Sequence, residues 1–161
     1  MIQCLELDDM EHIRQWRNAS LDTLRTPFPL TREQQEAWYR DEICNRNSRS
    51  RFWAIVDTNN LLVGYGGIEN IQWENSIAEI SLLIAPEYQK NGYGSTAAKE
   101  IIAYGFQDMG LHTIYGECYC SNPAFGFWAN LASSYVILPR RKYLHGHFVD
   151  SMYFTIIRPD V

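Results

Sequence analysis

Along this chain, stretches in which apolar residues alternate with polar ones trade places with stretches in which they recur every three or four positions. These are the rhythms of strand and helix. "IQCLEL" alternates as a first strand. Asp8 or Asp9 is placed to cap a helix through "MEHIRQWRN", where Met10, Ile13 and Trp16 carry the apolar spacing. Two prolines make "RTPFPL" a loop. Thr31, followed by Glu33 and Gln34, opens a second helix, "REQQEAWYRDEIC", expected to pack through Trp38 and Ile43. "RFWAIVD", the turn "TNN" and "LLVGYGGIENI" read as an antiparallel hairpin, and "SIAEISLLIAP" as a further strand ended by Pro86. In "STAAKEIIAYGFQDMG", Ala97, Ile101, Ile102 and Phe106 share a helical face that stops at Gly110. The remainder predicts a strand "HTIYGECYC", a helix "NPAFGFWANLASSY", a strand "VILPRRKYL", a turn at Gly146 and a strand "FVDSMYFTII". The order βααβββαβαββ describes a mixed α+β fold, with a mostly antiparallel sheet of seven strands flanked by four helices.

At 161 residues the chain is expected to form one domain over 1–161, burying about 70% of the surface its unfolded form exposes. Hydrophobic residues at 46% and aromatics at 14% exclude disorder and fibrous structure. The amino terminus is acidic where a signal peptide is basic, and no apolar run approaches the ~20 residues that span a bilayer. A cytoplasmic protein without a membrane partner is expected. A formal net charge of −5 argues against a nucleic-acid partner, since neutralising phosphates needs a surplus of Lys and Arg, and "LPRRKY" is only one short basic patch. Cys4 and Cys44 are isolated, and Cys118 and Cys120 form C-x-C; neither spacing suits a zinc knuckle. Buried or half-buried thiols and no metal are expected. His145 and His147 form H-x-H, which in a strand puts both rings on one face, solvated or turned to a substrate.

One stretch stands out chemically. "EYQKNGYGST" places two glycines one residue apart between a strand and a helix. Bare amides there, with the positive end of the helix dipole, attract phosphate oxygens. A P-loop is excluded, because Lys90 precedes the glycines. Gly92, Gly94 and Ala97 satisfy G-x-G-x-x-[GA], yet that dinucleotide fingerprint belongs in a parallel βαβ unit and here follows an antiparallel meander. The alternative to an anion site is a tight turn whose glycines only relieve crowding.

The stretch "AEISLLIAPEYQKNGYGSTAAKEII" resembles the acetyl-CoA-binding core of the GNAT N-acetyltransferases: a strand, a loop [QR]-x-x-G-x-[GA] formed by Gln89, Lys90, Asn91, Gly92, Tyr93 and Gly94, then a helix. The element order resembles that fold over nearly the whole chain. "IRQWRN" and "HFVDSMYF" are similar to the branch containing ribosomal-protein and amino-sugar acetyltransferases. The resemblance implies acetyl-CoA as co-substrate. It implies that Leu82, Leu83 and Ile84 present backbone to the pantetheine arm, that amides from Lys90 through Ser95 hold the pyrophosphate, and that Thr96 lies just behind. Asn122 resembles the family's pantetheine-binding asparagine, with a plain helix cap as its other reading.

Acyl transfer to an amine asks for a base, since an alkyl ammonium with a pKa near ~10.4 must first lose a proton. Glu79, between Ala78 and Ile80, stands where the family places a glutamate; Glu69 and Glu74 are alternatives, and a paired structural carboxylate is the bland reading. A backbone N–H around Leu82 or Leu83 would meet the oxyanion. The family's usual acid, a tyrosine, is replaced here by Ala129, and Ser133 and Ser134 stand where Gly-Phe follows, leaving Tyr135 as the nearest phenol. The fold would wall the acceptor cleft with Arg14, Trp16, Arg17, Asn18, Arg25 and Phe28, facing Tyr143, His145 and His147. The acceptor classes these suit are a nucleotide-linked amino sugar, a protein amino terminus or a small amine, and a homodimer is compatible with the pattern. Two competing classes remain: a GNAT-shaped acyl-CoA sensor without catalysis, and a nicotinamide-linked oxidoreductase.

Overall fold

A computed structural model describes residues 1–25 and 28–159. In chain order the elements are β1 (Ile2–Cys4), α1 (Met10–Ala19), α2 (Arg32–Trp38), β2 (Arg51–Val56), β3 (Leu62–Gln72), β4 (Ile77–Ile84), α3 (Tyr93–Gln107), β5 (Thr113–Tyr119), α4 (Phe125–Leu131), β6 (Ser134–Leu144) and β7 (His147–Ile157). The strands form one sheet in the order β1-β2-β3-β4-β5-β7-β6. Every neighbouring pair is antiparallel except β4 and β5, which α3 joins as a crossover. No described helix is long and apolar enough to cross a membrane.

Alternation along the strands sorts two cores onto opposite faces. Ile68, Ile80, Ile114 and Phe154 pack against Ala98 and Ile101 of α3 and Trp128 of α4. On the other face, Ala54 and Leu83 meet Met10, Ile13 and Trp16 of α1, with Trp38 of α2 and Ile43 beyond it. In β4 this puts Ala78, Ile80 and Leu82 on the α3 side and leaves Glu79, Ser81 and Leu83 under α1 and α2.

Gly116 of β5 shows how tightly the first core is fitted. A Cβ built there would stand 2.4 Å from Cζ of Phe154, whose ring stacks on Trp128 with centroids 4.9 Å apart. Gly116→Ala is therefore expected to destabilise by about 1–3 kcal/mol, the usual cost of overpacking, and to lower the melting temperature accordingly in a thermal scan. An unchanged melting curve would show that the ring moves freely.

Several local expectations are corrected. Neither Asp8 nor Asp9 caps α1 through its side chain; a short 3₁₀ turn, Leu7–Asp9, comes first, and the Asp9 carboxylate accepts from the Glu6 amide at 2.9 Å. The Thr31 capping box forms as expected, with Thr31 Oγ1 accepting from the Gln34 amide. The helix after Asn122 ends at Leu131, because Ser133 N–H donates to Thr155 C=O at 2.8 Å and the Ser133 hydroxyl accepts from Ile157 N–H at 2.9 Å. Sheet bonds thus take the residues assigned to the helix end, Tyr135 among them. Pro139 is accommodated because β6 is an outer strand whose pairing shifts register between Leu138 and Lys142. His145 and His147 do not share a strand face: His145 (φ 47°) and Gly146 (φ 85°) make the hairpin turn. Of the four cysteines only Cys118 is buried, and burial pushes its thiol up to about 11; the other three are exposed.

Candidate active site

The parallel ladder pairs Ile77 with Thr113, Ala78 with Ile114 and Glu79 with Tyr115, and stops there. Both strands continue, β4 to Ile84 and β5 to Tyr119, so beyond Glu79 they diverge. The fork opens a cleft of about 250 Å³ whose walls include Ser81 and Leu82 on β4 and Glu117 and Cys118 on β5. Unpaired strand backbone at such an edge is a template for a ligand carrying amides in an extended chain. Leu82 lies on this free edge and lines the cleft, while Leu83 is buried in the second core. The Ile84 carbonyl is already taken by Gln89 Nε2 at 3.1 Å, which ties the glycine turn to the end of β4.

That turn is wound through left-handed backbone at Lys90 (φ 64°) and Gly92 (φ 85°). Asn91 Nδ2 donates to the Tyr88 carbonyl at 3.2 Å, so the side chains of Gln89 and Asn91 build the loop and leave its amides for another partner. A Cβ on Gly92 would meet nothing within 4 Å: its glycine is required by φ, and the space beside it is open. Gly94 differs, since its Cβ would sit 3.4 Å from Ile84 Cγ1 and face β4 rather than the open side. The α3 ladder begins with Thr96 N–H donating to Gly92 C=O at 3.1 Å. The Tyr93, Gly94 and Ser95 amides precede it and project from a 15-residue helix whose dipole points the same way. This cradle fits a pyrophosphate.

Above the cleft, the segment after α1 forms a strap. Tyr119 Oη donates to the Leu24 carbonyl at 3.2 Å, Asn122 Nδ2 to the Thr23 carbonyl at 3.4 Å, and His145 Nε2 lies 2.6 Å from Asp22 Oδ1. Arg25 closes the strap by pairing with Glu79 Oε1. Glu79 is 4% exposed, and its other oxygen accepts from Asn70 Nδ2 at 2.9 Å. Asn70 reaches it because a bulge in β3, with φ 52° at Asn70, turns the amide inward. Glu69 pairs with Glu79 across the ladder and lines the cleft; burial, then the Glu79 charge, push its carboxyl up, against a hydrogen bond from Ser81.

The remaining sequence candidates scatter. Arg17 and Arg25 line the cleft, and Arg17 Nη1 donates to Gln35 Oε1 at 3.2 Å. Asn122 lines it too, while its Oδ1 accepts from the Ala124 amide at 2.8 Å, so the capping role is present. Arg14 is committed to Glu11, whose carboxyl it holds down to about 2, and to the Leu30 carbonyl. Asn18 exchanges two hydrogen bonds with the Leu30 backbone, and Trp16 is core. Phe28 is 71% exposed, Tyr143 and His147 are exposed, and none of them lines the cleft. Tyr135 sits on β6 at the edge of Phe125, ring centroids 6.2 Å apart, away from the cleft lining. Ala129 leaves its helix represented in the cleft by Trp128. Sequence reading missed Asn70 and Glu117, although every second residue of β5 (Thr113, Tyr115, Glu117, Tyr119) marks the face on which Glu117 stands.

The family model "Acetyltransferase (GNAT) domain" matches residues 1–126. Among curated proteins, the uncharacterised N-acetyltransferase YnaD of Bacillus subtilis is 33% identical over 76 residues, 47% of this chain and 44% of that protein. The chain's match thus spans less than half the length of that relative. The spermidine N(1)-acetyltransferase of Vibrio cholerae is 26% identical over 125 residues, 76% of this chain and 70% of that one. Among solved structures, a mutant of the V. cholerae spermidine N-acetyltransferase SpeG superposes with a TM-score of 0.84 at 22% identity, covering 98% of this chain and 94% of that one. A dodecameric form of the same enzyme gives 0.81 at 22% identity, covering 98% and 92%. With the forked sheet, the glycine turn and a family model over most of its length in agreement, this chain belongs to the GNAT acetyltransferase family.

Proposed function

We propose that residues 1–161 form one acetyl-CoA-dependent N-acetyltransferase domain that acylates a small primary amine by direct attack within a ternary complex. The observation carrying this reading is the fork: β4 has an unpaired edge beyond Glu79, and the glycine turn lies at the end of that edge. When bound, acetyl-CoA supplies an activated acyl group as a thioester. The chain's own part is to hold and orient. The β4 edge around Leu82 offers strand-like bonds to pantetheine amides, and the Tyr93, Gly94 and Ser95 amides offer an anion seat. The strap and the α1–α2 face cover the opposite side. On the cleft walls Arg25 is engaged by Glu79 and Glu117 by Arg141 at 3.4 Å, while Glu69 has no salt bridge among the described residues and favours a cationic acceptor over an anionic one. A relative that acetylates spermidine supports the same class. The test is thiol release from acetyl-CoA with a panel of alkyl amines, amino sugars and peptides. Amine-dependent release is expected, strongest with alkyl amines; cofactor binding without turnover of any acceptor would instead identify a sensor.

Self-association belongs to the same proposal. Outer strand β6 shows Tyr135, Val136 and Ile137 at 49%, 55% and 45% exposure, an apolar edge that soluble proteins usually protect by pairing or charge. A second copy of the chain is the proposed cover, as a homodimer, and the dodecameric relative lends support. Val136→Lys should shift the mass seen by light scattering to that of a monomer. A wild type already monomeric at micromolar concentration would remove the proposal.

A further inference from the structure

Proton removal from the acceptor needs a carboxylate that faces the cleft, and Glu79 does not supply it. Its Oε1 is paired with Arg25, its Oε2 with Asn70, and it is not part of the cleft wall. The residue opposite it is differently placed. Glu69 stands on the same face of the sheet one strand over, half-buried in the cleft wall that Ser81 also lines. The geometry points to Glu69 as the catalytic base that takes the proton of the acceptor ammonium, with Glu79, Arg25 and Asn70 as positioning residues that fix the charge beside it. This rests on the acetyltransferase reading above.

Two neighbouring carboxylates with opposed surroundings divide labour in a way common to acid–base sites. Glu79 is clamped by a guanidinium and an amide. Glu69 is pushed up by burial first and by the Glu79 charge second, toward the operating range that suits a base. The charged and titratable groups around it are Glu79 and Arg25, Glu42 beyond α2, Arg17 of α1, Tyr65 on its own strand, and Tyr115 and Glu117 of β5. The proton balance is simple. One ammonium proton passes to a Glu69 oxygen; the freed lone pair forms the C–N bond as the C–S bond breaks. A second nitrogen-bound proton ends on the departing thiolate, and Glu69 returns its own to solvent.

The test has a thermodynamic and a kinetic arm. Because the folded Glu69 carboxyl is raised, its contribution to stability is present below the unfolded glutamate pKa and is lost as pH rises through the folded value. Glu69→Gln should therefore raise the melting temperature at pH 7–8, with the gain shrinking in acid. In ¹³C-carboxyl NMR, the resonance absent from Glu69→Gln should titrate above the ordinary glutamate value of ~4.3 and move down in Glu79→Gln, where a negative neighbour is gone. With one turned-over amine, Glu69→Gln should lower kcat about 10²–10⁴-fold and abolish the acidic limb of the pH–rate profile, whereas Glu79→Gln should keep that limb and displace it to lower pH. An acidic limb that survives in Glu69→Gln, or a Glu69 resonance titrating at the ordinary position, overturns the assignment while leaving the acetyltransferase reading intact. A wild type that turns over no amine overturns both.

Discussion

Acetyl-CoA at a hundredfold excess over its Kd is expected to stabilise the wild-type chain by about 2.7 kcal/mol, and Gly92→Val is expected to remove that stabilisation. The first half follows from binding to the native state alone, RT ln(1 + [L]/Kd). For a chain of this size it corresponds to a rise in melting temperature of roughly 5–11 °C. The second half follows from two features of one residue. Gly92 has φ 85°, which a β-branched side chain adopts only under strain, and a Cβ there would meet no protein atom within 4 Å, leaving its extra bulk in the open space beside the turn. Valine there obstructs the ligand and distorts the start of α3 together. Gly94→Val acts otherwise, pressing on Ile84 and Leu82, so it should lower the melting temperature of the free protein as well. Differential scanning fluorimetry with acetyl-CoA and dephospho fragments checks all three. A full ligand-induced shift in Gly92→Val would place the pyrophosphate elsewhere.

Arg25→Ala is expected to be the most destabilising of the cleft substitutions. It leaves the Glu79 carboxylate, with a side chain only 5% exposed, holding one buried oxygen without a partner. Stranding a buried charged acceptor costs on the order of 1–3 kcal/mol, roughly 2–12 °C in melting temperature here. Glu79→Gln should cost less, because it strands Arg25, whose side chain is 37% exposed and can turn to water. The asymmetry makes the double variant informative. Arg25→Ala with Glu79→Gln should recover most of what Arg25→Ala loses, since the charge that lacked a partner is then gone. Strictly additive losses would show that the two residues do not depend on one another.

What the sequence made legible was local. The element order, the Thr31 capping box and the Met10, Ile13, Trp16 stripe depend on residues within a turn or two of each other, and all three are found in the structure. The glycine turn was legible for the same reason: strand, left-handed backbone and helix start lie within about a dozen residues of sequence. The fork was not, because the point where β4 and β5 part is a register between residues more than thirty positions apart. The contrast between Glu69 and Glu79 was hidden likewise. Alternation places both on one face, but Arg25 comes from a loop and Asn70 from a bulge, and neither partner has a periodic signature. Tyr135 shows the opposite error, a helical reading of "ASSY" overruled by bonds from Ser133 to β7.

The fork also has a mechanical meaning. The sheet is two leaves, β1 to β4 and β5 to β7, stitched by three residue pairs at one end and parted at the other. A shared apolar floor, with Ile68 and Ile80 from one leaf and Ile114 and Phe154 from the other, lies beneath the seam and joins the two leaves. A ligand bridging the parted edges would act as a clasp, coupling the stiffness of the seam to the tightness of its binding. Amide exchange in the second half of β4 should then slow on cofactor binding in step with affinity, and substitutions at Ile68 or Ile114, which belong to the floor and not to the cleft wall, should alter affinity without touching the ligand.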